Sequence, residues 1–221
     1  RMLANQLLVK RNEVDIFLAQ KSLLQSTPVK TVFDLGAHIG KTAQSYRKIF
    51  PNAKVHCFEP TEATFSRLNE RTGSDKNIIR HMMAVSDRPG PLDFHYNSQA
   101  STNSVFKSSK DAGLYWNETQ MHTERVATVQ ATTLDIFCEE QGISTIDVLK
   151  MDIQGGELLA LKGATGLLMA KKIRLICMEV IFVPTYEGQP EVHEIMAWLK
   201  NHGYVLHNFY RLASKNGRLL Y

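Results

Sequence analysis

Three cysteines in 221 residues, Cys57, Cys138 and Cys177, are too few and too far apart to staple a disulfide scaffold. None belongs to a C-x-x-C pair or has a histidine at ligand spacing, so they read as buried free thiols of a reducing compartment, and no metal site is expected. The chain also lacks a run of 18 apolar residues, which excludes a membrane-spanning helix. Its first residues lack the basic start, apolar stretch and small-residue cleavage site of a secretory leader. The expectation is a cytoplasmic protein, and the sequon Asn117-Glu118-Thr119 is then without consequence. Excess charge of one sign is missing too: 26 Lys and Arg against 22 Asp and Glu leave +4, and the basic residues are scattered. That argues against a nucleic-acid surface and towards a small-molecule partner. Repeats and low-complexity linkers are absent.

What is present is an ordinary globular composition, 43% hydrophobic and 22% charged, in a length that suits one domain over residues 1–221. Residues 1–26 form an extension with helical apolar spacing from Leu3 to Leu23. Its mixed charge favours packing on the domain over lying on a membrane surface. From Thr31 onward, short β-branched runs alternate with longer helical patterns, the signature of βαβ units around a mostly parallel sheet. Strands are expected at 31–35, 54–58, 78–82, 146–151 and 173–180. Helices are expected near 41–50, 61–71, 132–141, 155–171 and 190–202. Residues 204–209 and 218–221, joined across Asn216-Gly217, read as an antiparallel hairpin closing the sheet. The Ser-, Thr- and Asn-rich stretch at 98–124 breaks the alternation and reads as a lid. Within it, Ser104, Tyr115 and Trp116 are candidate acceptor contacts.

The first strand runs into D-L-G-A-H-I-G. Gly36 permits a sharp turn, Gly40 a close helix start, and backbone N–H groups from Ala37 to Thr42 would face a ligand at the helix N-terminus. A dinucleotide fold would place glycine where this chain has His38. With Asp34 two residues before the first glycine, the loop suits a ligand lacking phosphate and carrying a positive end, as S-adenosylmethionine does. The second strand ends in C-F-E-P, and Glu59, ahead of Pro60, stands where an acid accepts both hydroxyls of a ribose.

These blocks resemble the FkbM family of S-adenosylmethionine-dependent methyltransferases over roughly residues 31–206. The likeness rests on V-F-D-L-G-A-H-I-G, C-F-E-P, M-A-V-S-D, T-T-L-D, L-K-M-D-I-Q-G-G-E-L-L-A-L-K-G-A and M-E-V. The resemblance implies a Rossmann-like class I methyltransferase: α/β, with a seven-stranded, mostly parallel sheet, an antiparallel C-terminal hairpin and helices on both faces. It implies S-adenosylmethionine as methyl donor and O-methylation of a natural-product or sugar-type acceptor. Asp34, Gly36, Gly40 and Glu59 would line the cofactor, with Met83 and Ala84 near the adenine.

The family pattern resembles K-x-D-x-E-G-x-E, where this chain has Lys150, Asp152, Gln154, Gly155 and Glu157. A neutral amide at 154 weakens any metal-holding role for that pair, since hard cations prefer charged oxygens. Asp152, at the carboxyl end of the fourth strand, remains the main polar candidate beside the transferred methyl, either as general base or as a contact to the cofactor. His38, His81 and Glu179 are the next choices for base, and Gln154 and Glu179 are candidate acceptor contacts. Two other readings stay open: a non-catalytic adenosyl-binding module of a larger biosynthetic protein, and a nicotinamide-dependent oxidoreductase, against which His38 counts. The oligomeric state is not legible.

Overall fold

The computed structural model describes residues 15–215 and 218–221. In chain order the elements are α1 (Ile16–Leu23), β1 (Thr31–Leu35), α2 (Lys41–Ile49), β2 (Lys54–Phe58), α3 (Glu62–Thr72), β3 (Ile78–His81), β4 (Ala84–Val85), β5 (Gly90–Asn97), a 3-10 turn (Ala100–Thr102), α4 (Ala112–Tyr115), α5 (Glu118–Met121), β6 (Thr123–Thr132), α6 (Leu134–Glu140), β7 (Ile146–Met151), α7 (Glu157–Lys162), α8 (Thr165–Met169), β8 (Ile173–Met178), α9 (Val192–Asn201), β9 (Ser214–Lys215) and β10 (Arg218–Leu219).

The apolar runs of β1, β2, β3, β7 and β8 form one parallel sheet in the order β3-β2-β1-β7-β8. A parallel strand covered on both faces needs apolar side chains in both directions, and the sequence supplies them. Phe33, Leu35, Leu149 and Met151 turn to one face, where α6, α7 and α9 contribute Phe137, Leu161 and Ile195. Val32, Val55, Cys57 and Val148 turn to the other, against Tyr46 of α2 and Leu68 of α3. Burying each large side chain contributes roughly 1.5–3 kcal/mol, so these two layers hold the sheet. Helices thus cover both faces. Of the N-terminal helix expected over residues 3–24, the described part is α1; the remainder lies outside the described residues.

One end of the sheet is pinned by Asp147. Its Oδ2 accepts from the backbone N–H groups of Lys30 and Thr31 at 2.7 and 2.9 Å, and its Oδ1 accepts from Arg174 at 2.6 Å. The opposite, carboxyl ends of β1, β2 and β7 frame a cleft. The strand order reverses between β1 and β7, which is where open α/β sheets bind ligands.

Three expectations are corrected. The sheet is five-stranded; β4, β6 and β5 form a separate mixed sheet in the order β4-β6-β5, β5 and β6 being antiparallel. The alternation in G-P-L-D-F-H-Y-N and T-E-R-V-A-T-V-Q-A-T was the signal for these two strands. The C-terminal hairpin does not close the main sheet. β9 and β10 pair only with each other, with turn residues 216–217 outside the described set, and residues 204–209 form no strand. Val205 is 92% exposed, so the apolar alternation of that segment buries no continuous face. The helix expected at 155–171 is two helices, α7 and α8. A Cβ on Gly163 would overlap the carbonyl oxygen of Ser86, so the break is where β4 abuts the helical layer.

The polar stretch 98–124 is not an irregular spacer. It holds the 3-10 turn, α4 and α5, and ends inside β6. Its aromatic half packs against Ile181, Val183 and Leu220.

Candidate active site

The cleft at the carboxyl ends of the parallel strands is lined by Leu35, Gly36 and His38 after β1, Phe58, Glu59 and Pro60 after β2, Met83, Ala84 and Val85 around β4, Phe94 of β5, and Asp152, Ile153 and Gln154 after β7. Ala100, Ser101, Asn103 and Val105 close it from the stretch after β5.

The backbone makes the two sides of the cleft one unit. Gly36 has φ +73, and a Cβ there would overlap the carbonyl oxygen of Asp152, so glycine is required both by conformation and by the close approach of the loop after β7. His38 and Gln154 have φ of 48 and 54. Left-handed backbone is strained for residues with a Cβ, at roughly 1–3 kcal/mol each, and both positions border the cleft.

Glu59 is 7% exposed. Its Oε2 accepts from the His38 N–H at 3.2 Å, and its Oε1 accepts from the Thr61 N–H at 3.1 Å and the Thr61 hydroxyl at 2.6 Å. Burial raises its pKa, opposed by the Thr61 and His38 donors. Oε1 is taken by its two Thr61 donors, whereas Oε2, with one, retains capacity for a further donor. The vicinal hydroxyls of a ribose are donors of that kind, and Leu35, Phe58, Met83, Ala84 and Val85 provide apolar walls for a flat ring. The residues present therefore fit an adenosyl group.

Behind this wall lies an ion pair. Asp34 is fully buried, and Lys150 Nζ lies 2.9 Å from its Oδ1 as an ion pair and donates to the carbonyls of Leu35 and Gly36. Burial lowers the Lys150 pKa, but the Asp34 and Asp152 carboxylates more than offset it and hold the ammonium charged. Asp34 therefore meets its positive charge within the protein rather than lining the cleft, and Lys150 is buried against it.

On the other side, Gln154 links two acids. Its Nε2 donates to Asp152 Oδ1 at 2.9 Å and to Glu179 Oε2 at 2.7 Å, while its Oε1 accepts from the Tyr186 hydroxyl at 2.8 Å. Burial pushes Glu179 up to about 8, and the neighbouring charges of Asp152 and Glu157 push the same way. Glu157 is buried at the start of α7, where its Oε1 accepts from the Ile153 N–H at 2.9 Å, and desolvation pushes it to about 7. Among the described residues no group of three metal-ligating side chains could hold an ion.

Other candidates fall elsewhere. Ala37 is buried, and Gly40 faces Thr72 and Leu68 of α3, so its small size serves helix packing. Thr42 lies along α2, outside the cleft lining. His81 is taken out of contention as a base at the cleft: it is stacked between Phe58 and His56, accepts or donates across a 3.2 Å contact to His56, and burial lowers both imidazoles to about 4. Tyr115 and Trp116 do not line the cleft either; Trp116 stacks on Tyr221 and donates to Thr185. Ser104 is fully buried and donates to the Gln154 carbonyl at 2.7 Å. Among the residues that sequence reading missed are Phe94, Asn103, Val105 and Tyr186. Phe94 was signalled by the alternation of β5; the other three carried no local signal.

Several known proteins are similar to this chain. The profile described as "Methyltransferase FkbM domain" matches residues 34–206. A 2-O-methyltransferase NoeI from Sinorhizobium fredii is 30% identical over 79% of this chain and 72% of its own length. A 31-O-demethyl-FK506 methyltransferase FkbM from Streptomyces tacrolimicus is 24% identical over 81% of this chain and 74% of its own. Among solved structures, a methyltransferase FkbM from Methylobacillus flagellatus KT aligns with 18% identity and a TM-score of 0.45, over 67% of this chain and 32% of that one.

Proposed function

This chain belongs to the FkbM family of methyltransferases, and on that footing we propose that it moves a methyl group from S-adenosylmethionine to a hydroxyl oxygen of a small natural-product or sugar-type acceptor. The observation that carries the reading is Glu59. It is a nearly buried carboxylate at the end of β2, fixed by Thr61 and the His38 N–H and facing an apolar slot beside Met83 and Ala84. The oxygen acceptor is supported by the two relatives, both named as O-methyltransferases or as acting on an O-demethyl substrate. A small acceptor is supported by the cleft, which residues 100–105 close on one side.

When bound, S-adenosylmethionine supplies a methyl on a positively charged sulfur that leaves readily. The protein's work is then mainly positioning, worth several kcal/mol in such displacements, and removal of the acceptor's hydroxyl proton. Glu59, through its Oε2, would hold the ribose. Gly36 and His38 shape the floor. Asp152 lines the cleft opposite Glu59 and is the group within it best suited to take the proton, a service worth roughly 10²–10⁴-fold.

Calorimetry with S-adenosylhomocysteine tests the cofactor. Binding by the folded wild type and its loss in Glu59→Ala are expected; a folded wild type that does not bind overturns the reading. Transfer of labelled methyl to a panel of hydroxylated sugars and polyketides then identifies the acceptor.

A further inference from the structure

Tyr186 lies between β8 and α9 and is 2% exposed. The loop around it is held by Gln189, whose Oε1 accepts from the Thr185 and Tyr186 N–H groups at 3.0 and 2.8 Å and whose Nε2 donates to the Val183 carbonyl at 2.9 Å. The Tyr186 hydroxyl oxygen is 2.8 Å from Gln154 Oε1 and 2.9 Å from the carbonyl oxygen of Thr102. Both neighbours are acceptors, and a phenol has one proton to give.

The far end of Gln154 decides which one receives it. The amide lies between the Asp152 and Glu179 carboxylates, at 2.9 and 2.7 Å. Turned over, it would set its oxygen against two carboxylates at contact distance, so its NH₂ faces them and its oxygen faces Tyr186. That orientation needs a donor on the Tyr186 side, and the phenol is the donor. The Gln154 backbone is held too, at φ 54, with its carbonyl accepting from Ser104. The amide is therefore a crossbar fixed at both ends, with one N–H for each acid.

We propose that Tyr186 is a positioning residue for methyl transfer, acting through the Gln154 amide to keep Asp152 and Glu179 oriented as one carboxylate pair that receives the acceptor's hydroxyl proton. The proposal rests on the reading of the cleft as a methyl-transfer site. In the step itself the acceptor oxygen forms a bond to the methyl carbon as the carbon–sulfur bond breaks. The electron pair of that bond neutralises the sulfonium, and the hydroxyl proton passes to the pair and out through Asp152, whose side chain is 43% exposed. The groups facing the pair are Lys150, Asp34 and Glu157, with His38 across the cleft. For Glu179, burial and the charges of Asp152 and Glu157 oppose ionisation, while Lys150 favours it. Amide N–H donors favour the ionised form, so Gln154 keeps the pair ionised, and free to take a proton, down to a lower pH than a third carboxylate at this position would.

The test is a titration of the Asp and Glu carboxyl carbons by NMR in the free protein, with S-adenosylhomocysteine calorimetry run beside it. In Tyr186→Phe the amide loses its anchor. The higher midpoint of the pair should rise by about one pH unit, while S-adenosylhomocysteine affinity stays within about twofold. A midpoint unchanged in folded Tyr186→Phe overturns the proposal. Should that variant not fold, Gln154→Glu decides: replacing both N–H donors with a carboxylate should raise the midpoint further, and an unmoved midpoint again overturns it. A wild type that titrates as expected but binds no S-adenosylhomocysteine overturns the methyl-transfer reading instead, leaving the crossbar's effect on the acids measured.

Discussion

The Asp147 carboxylate of β7 and the Arg174 guanidinium of β8 meet at 2.6 Å across the end of the sheet remote from the cleft, and the other Asp147 oxygen takes the N–H groups that start β1. One side chain thus ties three neighbouring strands. Asp147→Ala would leave a partly buried guanidinium and two backbone donors unpaired. A loss of about 3 kcal/mol is expected, read as a shift in urea midpoint at unchanged slope. A loss under about 0.5 kcal/mol would mean water replaces the carboxylate fully.

Gly36→Ala is expected to damage binding more than its single methyl suggests. The added Cβ would strike the Asp152 carbonyl, and the position has positive φ. Alanine there costs more than a kcal/mol in backbone strain alone. S-adenosylhomocysteine affinity should fall at least tenfold in a protein whose far-ultraviolet circular dichroism is unchanged. Unaltered affinity would show that the two loops can separate freely.

Asp152→Asn should separate the two roles open to this acid. As proton acceptor, its loss lowers kcat by roughly 10²–10⁴-fold with S-adenosylhomocysteine affinity within about threefold. As a cofactor contact, its loss would weaken that affinity and leave kcat at saturating cofactor nearly intact. Calorimetry together with initial rates distinguishes the patterns.

Glu157 gives a signed pH effect. Burial raises its pKa to about 7 in the folded state, above the ordinary 4.3 of an unfolded chain. Between those values the folded protein holds the proton more tightly. Its contribution is therefore fully present below about pH 4 and is lost as pH rises through 7. Other acids have the opposite slope, so the variant must be compared with wild type. Glu157→Gln should gain in melting temperature relative to wild type between pH 5 and pH 8, and a constant difference would contradict the assignment.

The parallel sheet was legible because its strands are apolar on both faces and say so locally: T-V-F-D-L and I-D-V-L-K-M admit few other readings. The pair β5 and β6 was harder, because one face is solvated and the strands carry Asp93, His95, Glu124 and Arg125 among their apolar residues. The segment 204–209 misled in the opposite sense, since alternation shows that a segment could be a strand and not that a partner edge awaits it. In the site, Gly36, Glu59 and Asp152 could be found from the ends of recognisable strands. Asp34 has the same credentials but turns inward to Lys150, a choice made by packing that spacing does not encode. His81 likewise ends a strand, yet Phe58, His56 and Phe137 enclose it. Tyr186 had no signal in sequence, because only the fold brings a residue after β8 against one after β7.

The missing side chain at Gly36 has a further consequence for substrate choice. Because the loop after β1 and the loop after β7 touch backbone to backbone there, the spacing between the Glu59 side and the Asp152 side of the cleft is set by main chain, not by rotamers. Under the methyl-transfer reading, donor and proton acceptor then keep one distance whatever the third molecule is. Variation in that molecule must be absorbed by residues 100–105, which hang from a different sheet. Reprogramming the acceptor is accordingly a problem of loop exchange between β5 and β6, one that can leave the reacting geometry untouched.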